Sequence, residues 1–314
     1  MSLLIDSVSK RFGEVQALDS VSLQIEPGEI FGFLGANGAG KTTAMRIVLD
    51  ILRPDAGTIA WNGIANTDLP RETWGYLPEE RGLYAKMTVL DQLVFFAKLH
   101  GVKPKAAERE TRDWLERFRI PEYADRRAEQ LSKGNQQKVQ FIAAILHDPQ
   151  VLLMDEPFTG LDPVNVAILK QAFLEMKDRG KTLVFSTHQM ETVEELCESI
   201  AILDRGRVVV GGSVREVRRS TGRQVVRVAV QGDLEMAWLG TLEGVRVTRR
   251  GQDYLEAEVA GGHDPGSILR AALARGCEVR HFEMMDPSLE QIFIEHVGQI
   301  DMSERTLAPK AAHA

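Results

Sequence analysis

The sequence predicts an α/β fold with a mostly parallel sheet, followed by a smaller α+β unit. Three observations carry this expectation. Short apolar runs at 30–34, 151–154, 182–186 and 200–203 alternate with segments of helical periodicity. Such runs suit strands buried on both faces and joined by crossover helices. A glycine-rich turn closes the first run and leads into a helix. Near residue 212 the texture changes, and residues 204–250 hold ten arginines, no lysine and five acids.

Taken in order, residues 1–27 alternate apolar and polar side chains, which reads as short antiparallel strands. Ile30–Leu34 is the first buried strand, and Thr42–Leu52 is the helix after the turn. Pro54 to Gly57 form a turn, and Asn62-Gly63 marks a hairpin. Val89–Leu99, Ala106–Phe118 and Gln136–Leu146 form a helical insertion between sheet strands. Val151–Met154, Thr182–Ser186 and Ile200–Leu203 are further strands, separated by helices at Val164–Asp178 and Glu191–Glu198. Residues 1–212 therefore read as one domain, 213–222 as a linker and 223–298 as a second domain. The second runs strand (Gln224–Val230), helix (Leu234–Leu242), strand or hairpin (Val245–Val259), helix (Pro265–Ala274), strand (Glu278–Glu283) and helix (Ser288–Val297). Residues 299–314, polar and alanine-rich, are expected to be a disordered tail.

Composition removes several classes. With 314 residues, 44% hydrophobic and 26% charged, the chain is of globular type and long enough to bury a core unaided. Cys197 and Cys277 are its only cysteines, so no disulfide framework is expected. Cys197 reads as a filler of apolar space. A net charge of −7 weakens a nucleic-acid reading, and no nucleic-acid partner is expected. The N-terminus lacks the charged-then-apolar layout of a signal peptide. No apolar run reaches the ~18 residues a membrane span needs. The chain is expected to be cytoplasmic, with docking on a membrane protein left open.

Two motifs carry chemistry. Gly35-Ala36-Asn37-Gly38-Ala39-Gly40-Lys41-Thr42 fits G-x-x-x-x-G-K-[ST], with a buried strand before it and a helix after it. Its glycines let successive N–H groups converge on phosphate oxygens, and the helix points its positive end at the same charge. Lys41 reaches the outer phosphates, and the Thr42 hydroxyl is placed to ligate Mg²⁺. Gly35, Asn37, Gly38, Ala39, Gly40, Lys41, Thr42 and Thr43 are the expected nucleotide-binding set. The second motif is the strand Val151–Met154 ending in Asp155-Glu156. Parallel sheets bind ligands at the carboxyl ends of their strands. Asp155 is assigned to Mg²⁺ and Glu156 to polarising the attacking water.

Leu131-Ser132-Lys133-Gly134-Asn135 precedes a helix, and here the sequence resembles the ATP-binding cassette (ABC) family, whose signature is LSGGQ. The other family motifs follow in order across about residues 3–212. Phe12 stands where an aromatic stacks on adenine, Gly160-Leu161-Asp162 matches the D-loop, and His188 matches the switch histidine. Pro78-Glu79 falls where the family has a glutamine. The resemblance implies a P-loop NTPase of the ABC type, with an antiparallel β subdomain and a helical insertion. It also implies ATP and Mg²⁺ as cofactors, and two cassettes packed head to tail. In that arrangement Ser132 and Gly134 face the nucleotide of the other chain, and Asp162 takes part at the contact. It makes Lys41, Glu156 and His188 the catalytic set, and Thr42, Asp155 and Glu79 the metal set.

Plainer readings stand beside these. Phe12 can be core packing, Asp162 a helix cap, and Glu79 a solvated loop residue that lacks the amide donor. Lys133 and Asn135 depart from the signature, with Lys133 pointing to solvent or strengthening phosphate attraction. The adjacent Val94, Phe95 and Phe96 cannot share one helix face. They are either partly exposed core or, with Arg81 to Tyr84, the docking surface that transport cassettes offer a membrane subunit. Met285 to Phe293 close a module that resembles the C-terminal extension of ABC-2-type export ATPases, including sodium-efflux and multidrug-like members. Its Arg215–Arg227 stretch either faces anionic lipid or forms a salt-bridged linker. The expected function is an ATPase subunit, paired with a second cassette, at the cytoplasmic face of the membrane. It powers a separate permease, in the export direction. The alternatives are a soluble ABC ATPase of translation or DNA maintenance, and a regulatory module with weak turnover. The first usually needs two cassettes per chain or a long coiled coil, and neither is visible.

Overall fold

The computed structural model describes residues 2–80, 82–233 and 235–297. The chain divides into two compact units, residues 1–214 and 215–314.

The first unit opens with β1 (Leu3–Phe12) and β2 (Val15–Ile25), paired antiparallel. Their alternation buries Leu3 and Ile5. A bulge at Ser7, which takes φ 53°, shifts the register so that Val8 is buried as well. Next come β3 (Ile30–Leu34), α1 (Lys41–Val48), β4 (Ala56–Trp61) and β5 (Ile64–Ala65). The first sheet has the order β2-β1-β4-β5, with the expected hairpin at Asn62-Gly63. Helix α1 stops at Val48, short of the expected Leu52, and Asp50 already has a left-handed φ of 54°.

The second sheet gathers strands far apart in sequence. After β6 (Trp74–Leu77) the chain makes three helices, α2 (Val89–Leu99), α3 (Pro104–Arg117) and α4 (Lys133–Ile145). It then returns as β7 (Val151–Asp155), α5 (Pro163–Asp178), β8 (Thr182–Thr187), α6 (Met190–Leu196), β9 (Ser199–Asp204) and β10 (Arg207–Ser213). The strand order is β10-β9-β3-β8-β7-β6. All neighbours are parallel except β10, which closes one edge antiparallel. Every residue of β3, β7 and β8 is buried, as their unbroken apolar runs require. Because these strands are parallel, their carboxyl ends share one edge, and that edge carries the site described below.

Of the three adjacent bulky residues of α2, Phe95 is exposed, and Val94 and Phe96 are half-buried. Tyr84 stacks on Phe96, with ring centroids 5.7 Å apart. Arg81 lies outside the described residues. Nearby, His147 sits between α4 and β7, and its Nε2–H donates to the Trp74 carbonyl (3.0 Å). Its ring stacks on His100 at 4.0 Å, and its Nδ1 is buried without a partner. Burial, helped by the His100 charge, pushes His147 down to about 4. A histidine held neutral stabilises the fold above its unfolded pKa, and that stability is lost as pH falls through the window from 6.5 to about 4. We expect a loss on the order of 2 kcal/mol across it, after allowance for partial exposure. Thermal unfolding of wild type and His147→Gln at pH 7 and pH 4.5 checks this, and the variant is expected to flatten the difference.

The 213–222 stretch carries a helix, α7 (Val214–Ser220). The second unit continues as β11 (Gln224–Val230), β12 (Val245–Arg250), β13 (Leu255–Val259), α8 (Gly266–Ala274), β14 (Val279–Met285) and α9 (residues 289–297). Its sheet is fully antiparallel in the order β12-β13-β11-β14, the arrangement of a split β-α-β sandwich. The expected helix at Leu234–Leu242 is only a single 3₁₀ turn, Ala237–Thr241. Asp233 accepts from the Met236 N–H and the Trp238 indole, which fixes a tight start, and Gly240 disfavours extension. Leu234 and the expected tail, residues 299–314, lie outside the described residues. One sheet face packs Val226, Val228, Leu255 and Ala257 against Ile268 of α8. The Arg215–Arg227 stretch is of the salt-bridged kind. Arg223 pairs with Glu258 and Glu295, Arg227 with Glu256, and Arg218 donates to the carbonyls of Asp286 and Pro287.

Candidate nucleotide site

Three strand ends build the site. After β3 the chain turns through residues 35–40 into α1. Gly40 has φ 108°, and a Cβ there would lie 2.5 Å from the Ala17 carbonyl, so only glycine lets the loop approach β2. Lys41, 6% exposed, folds its ammonium back onto the loop and donates to the carbonyls of Gly35 (2.8 Å) and Ala36 (3.2 Å). One of its three N–H groups stays available to an anion. Burial lowers the Lys41 pKa, while the charges of Glu156, Asp155 and Glu79 pull it back up.

The end of β7 supplies the carboxylates. Asp155 accepts the Thr42 hydroxyl at 2.6 Å and also the Ser186 hydroxyl. Glu156 adopts a left-handed φ of 49°, unusual for a non-glycine residue. Its N–H donates to the Ser186 carbonyl (3.2 Å) and hydroxyl (3.0 Å), which hold that turn in place. One carboxylate oxygen of Glu156 meets His188 Nδ1 at 3.0 Å, and the other accepts the Thr159 hydroxyl at 3.1 Å. A carboxylate can only accept, so the Nδ1 of His188 carries the proton.

Lys41, Thr42, Asp155 and Glu156 share one cleft of about 230 Å³, whose lining includes Asn37, Gly38, Thr43 and Glu79, whereas Phe12, Gly35 and His188 lie outside that lining. Ala39 and Gly40 belong to the same wall. Phe12, 46% exposed at the end of β1, is not core packing; the Lys10 ammonium lies 5.6 Å from its ring centre. Ser132, Gly134 and Asp162 do not line this cleft. Ser132 caps α4 by accepting the Asn135 N–H (3.3 Å), and Asp162 caps α5 by accepting from Val164 and Asn165 (3.0 Å each). A Cβ at Gly134 would lie 3.2 Å from the Asn165 amide nitrogen, so the start of α4 packs against the start of α5.

Sequence reasoning missed Ser186, which touches both Asp155 and Glu156, and Thr159, which holds Glu156. It also missed Val15 and Ala17 of β2, which line the cleft. Among the described residues no group of three metal-ligating side chains occurs. The hard oxygens of Thr42 and Asp155 nonetheless lie together beside the phosphate loop, and they fit Mg²⁺, which takes few protein ligands and completes its shell with phosphate and water.

The model of the family described as ABC transporter matches residues 18–159, and that described as ATP-binding protein DrrA1-3-like, C-terminal domain, matches 212–297. The uncharacterized ABC transporter ATP-binding protein YhaQ of Bacillus subtilis is 45% identical, over 95% of this chain and 99% of its own. The Nod factor export ATP-binding protein I of Rhizobium etli is 31% identical, over 77% of this chain and 84% of its own. A solved ATP-binding subunit of an ABC transporter is similar with a TM-score of 0.66 at 32% identity, over 71% of this chain and 94% of that one. Identity at the level of YhaQ, sustained over nearly the whole length of both proteins, settles the family: the chain belongs to the ATP-binding proteins of ABC transporters.

Proposed function

We propose that the protein hydrolyses ATP as one half of a two-cassette motor that drives a separate membrane permease in the export direction. The observation that carries the catalytic part is the hydrogen-bonded pair Glu156–His188 beside the phosphate loop. Lys41 and the loop N–H groups bind and orient the triphosphate, and Phe12 offers its exposed face to the adenine. Glu156, 8% exposed and fixed by Ser186 and Thr159, accepts a proton from the attacking water. His188 holds that carboxylate through Nδ1, and its side chain is otherwise largely exposed. Thr42 and Asp155, with Glu79 alongside, would hold Mg²⁺, which would supply charge neutralisation at the outer phosphates. Ser132 and Gly134 stand outside the chain's own cleft, which suits service to a nucleotide held by a second cassette.

No helix among the described residues is long and apolar enough to cross a membrane. An apolar groove lined by Trp74, Tyr76, Leu83, Phe96 and Ala144 offers a permease segment a seat. Export is supported by the DrrA-like C-terminal match and by the Rhizobium relative, a Nod factor export ATP-binding protein. Purification from native membranes is expected to recover a polytopic membrane protein with the chain. Recovery of ribosomes or DNA instead would sink the transport reading.

Glu79 lends itself to a sharper test. As a metal neighbour it strengthens Mg²⁺ binding but repels the triphosphate. Glu79→Gln is therefore expected to raise the Mg²⁺ concentration for half-maximal hydrolysis about tenfold, the effect of losing one charge-assisted contact. It should also tighten nucleotide binding measured without Mg²⁺. An unchanged Mg²⁺ dependence would place Glu79 outside the metal shell.

A further inference from the structure

Helix α4 carries two glutamines three residues apart, Gln137 and Gln140, which share one helix face. Each is 5% exposed. The Gln137 amide donates to the carbonyl of Pro157 (3.0 Å), and the Gln140 amide donates to the carbonyl of Glu80 (3.3 Å). Pro157 directly follows Glu156, and Glu80 directly follows Glu79. Gln136, by contrast, turns to the carbonyls of Ala128 and Leu131, just ahead of its own helix. One face of α4 thus holds the backbone behind two carboxylates of the nucleotide cleft. The other feature of the same helix is its N-terminal end, which carries Ser132 and Gly134, neither of which lines that cleft.

We infer that Gln137 and Gln140 are positioning residues that couple the N-terminal end of α4 to Glu156 and Glu79. The inference rests on the two-cassette reading, in which Ser132 and Gly134 serve the nucleotide of the partner subunit. A hydrogen-bonded helix of 13 residues moves as a unit. A shift of its N-terminal end against a neighbouring nucleotide therefore reaches both carbonyls, and through them both carboxylates. Binding at one site of the dimer then sets the geometry of hydrolysis at the other.

Gln140 argues against a merely structural role. Its Oε1 is buried with no hydrogen-bond partner, and a buried unpaired oxygen costs stability. An apolar side chain of equal length would remove that cost and would lose only the tie to Glu80. Methionine is such a side chain.

The test uses the full chain with Gln137→Met and Gln140→Met. Nucleotide affinity, read by titrating a fluorescent ATP analogue into dilute protein, is expected to stay near wild type. The Tm of Gln140→Met is expected to hold or rise. In hydrolysis measured against ATP concentration, kcat is expected to fall about tenfold and the Hill coefficient to drop toward 1, the scale of coupling between sites. Gln140→Leu removes the donor without burying a charge and is expected to repeat the loss, which serves if the methionine variant does not fold. Unchanged kcat and Hill coefficient would overturn the inference. So would a fall in kcat matched by falls in Tm and affinity, or a wild-type Hill coefficient of 1. The nucleotide-bound dimer expected of Glu156→Gln reports separately on the two-cassette reading. A trapped dimer with unaffected glutamine variants overturns the coupling alone, and the absence of a dimer overturns both.

Discussion

Glu156→Gln is expected to abolish steady-state ATP hydrolysis, keep nucleotide binding and trap a nucleotide-bound dimer. The geometry makes the substitution unusually clean. Glutamine has the same shape, and its backbone N–H keeps the two bonds to Ser186 that hold the left-handed turn. The side-chain oxygen can still accept from Thr159 or His188. What disappears is the proton acceptor, together with one negative charge close to Lys41. Removing a positioned base costs about 10²–10⁴ in rate. Losing a carboxylate from a cleft that must hold a triphosphate favours the bound state. Phosphate release under saturating ATP reads the first effect, and size-exclusion chromatography with and without ATP reads the second. Hydrolysis at the wild-type rate would remove Glu156 from the chemistry.

Much of this site was legible because its parts obey local rules. A strand buried on both faces must be an apolar run, so β3 and β7 were visible in sequence, and the residues at their carboxyl ends were placed with them. The loop before α1 was legible because its glycines answer a backbone demand that Gly40 makes explicit. Ser186 was not legible, because its role comes from register: in the β7–β8 pairing it stands opposite Asp155. Nothing within either strand states that pairing. Edge strand β10 escaped for a different reason. Its Val208 to Val210 are only half-buried and its Gly211 and Gly212 are exposed, so it lacks a buried strand's pattern. Gln137 and Gln140 look in sequence like the polar face of an amphipathic helix, and only the fold reveals that this face is buried.

Lys41→Ala should weaken ATP binding by about 10²-fold, the scale of losing a charged hydrogen-bond partner and its favourable field. Lys41 is the cation whose ionisation responds to Asp155, Glu156 and Glu79 together. Without it those three carboxylates face a triphosphate with only backbone N–H groups and the metal ion to offset them. The variant is not expected to unfold. The two carbonyls that Lys41 now satisfies, Gly35 and Ala36, lose that partner, but Lys41 itself lines the cleft, so its removal lets water reach the space its ammonium fills. Relief of a buried charge works in the same direction. Equilibrium binding of a fluorescent nucleotide, run beside thermal unfolding, separates the two quantities. Lost affinity with an unchanged Tm is the expected pair. Lys41→Arg provides the finer discrimination. It keeps the charge, but its planar fork is larger than an ammonium held at 2.8 Å and 3.2 Å from two carbonyls of the same tight loop. If charge alone matters, arginine restores binding. If the compact three-donor geometry matters, as the loop's own hydrogen bonds imply, arginine restores little, and hydrolysis falls further than binding does.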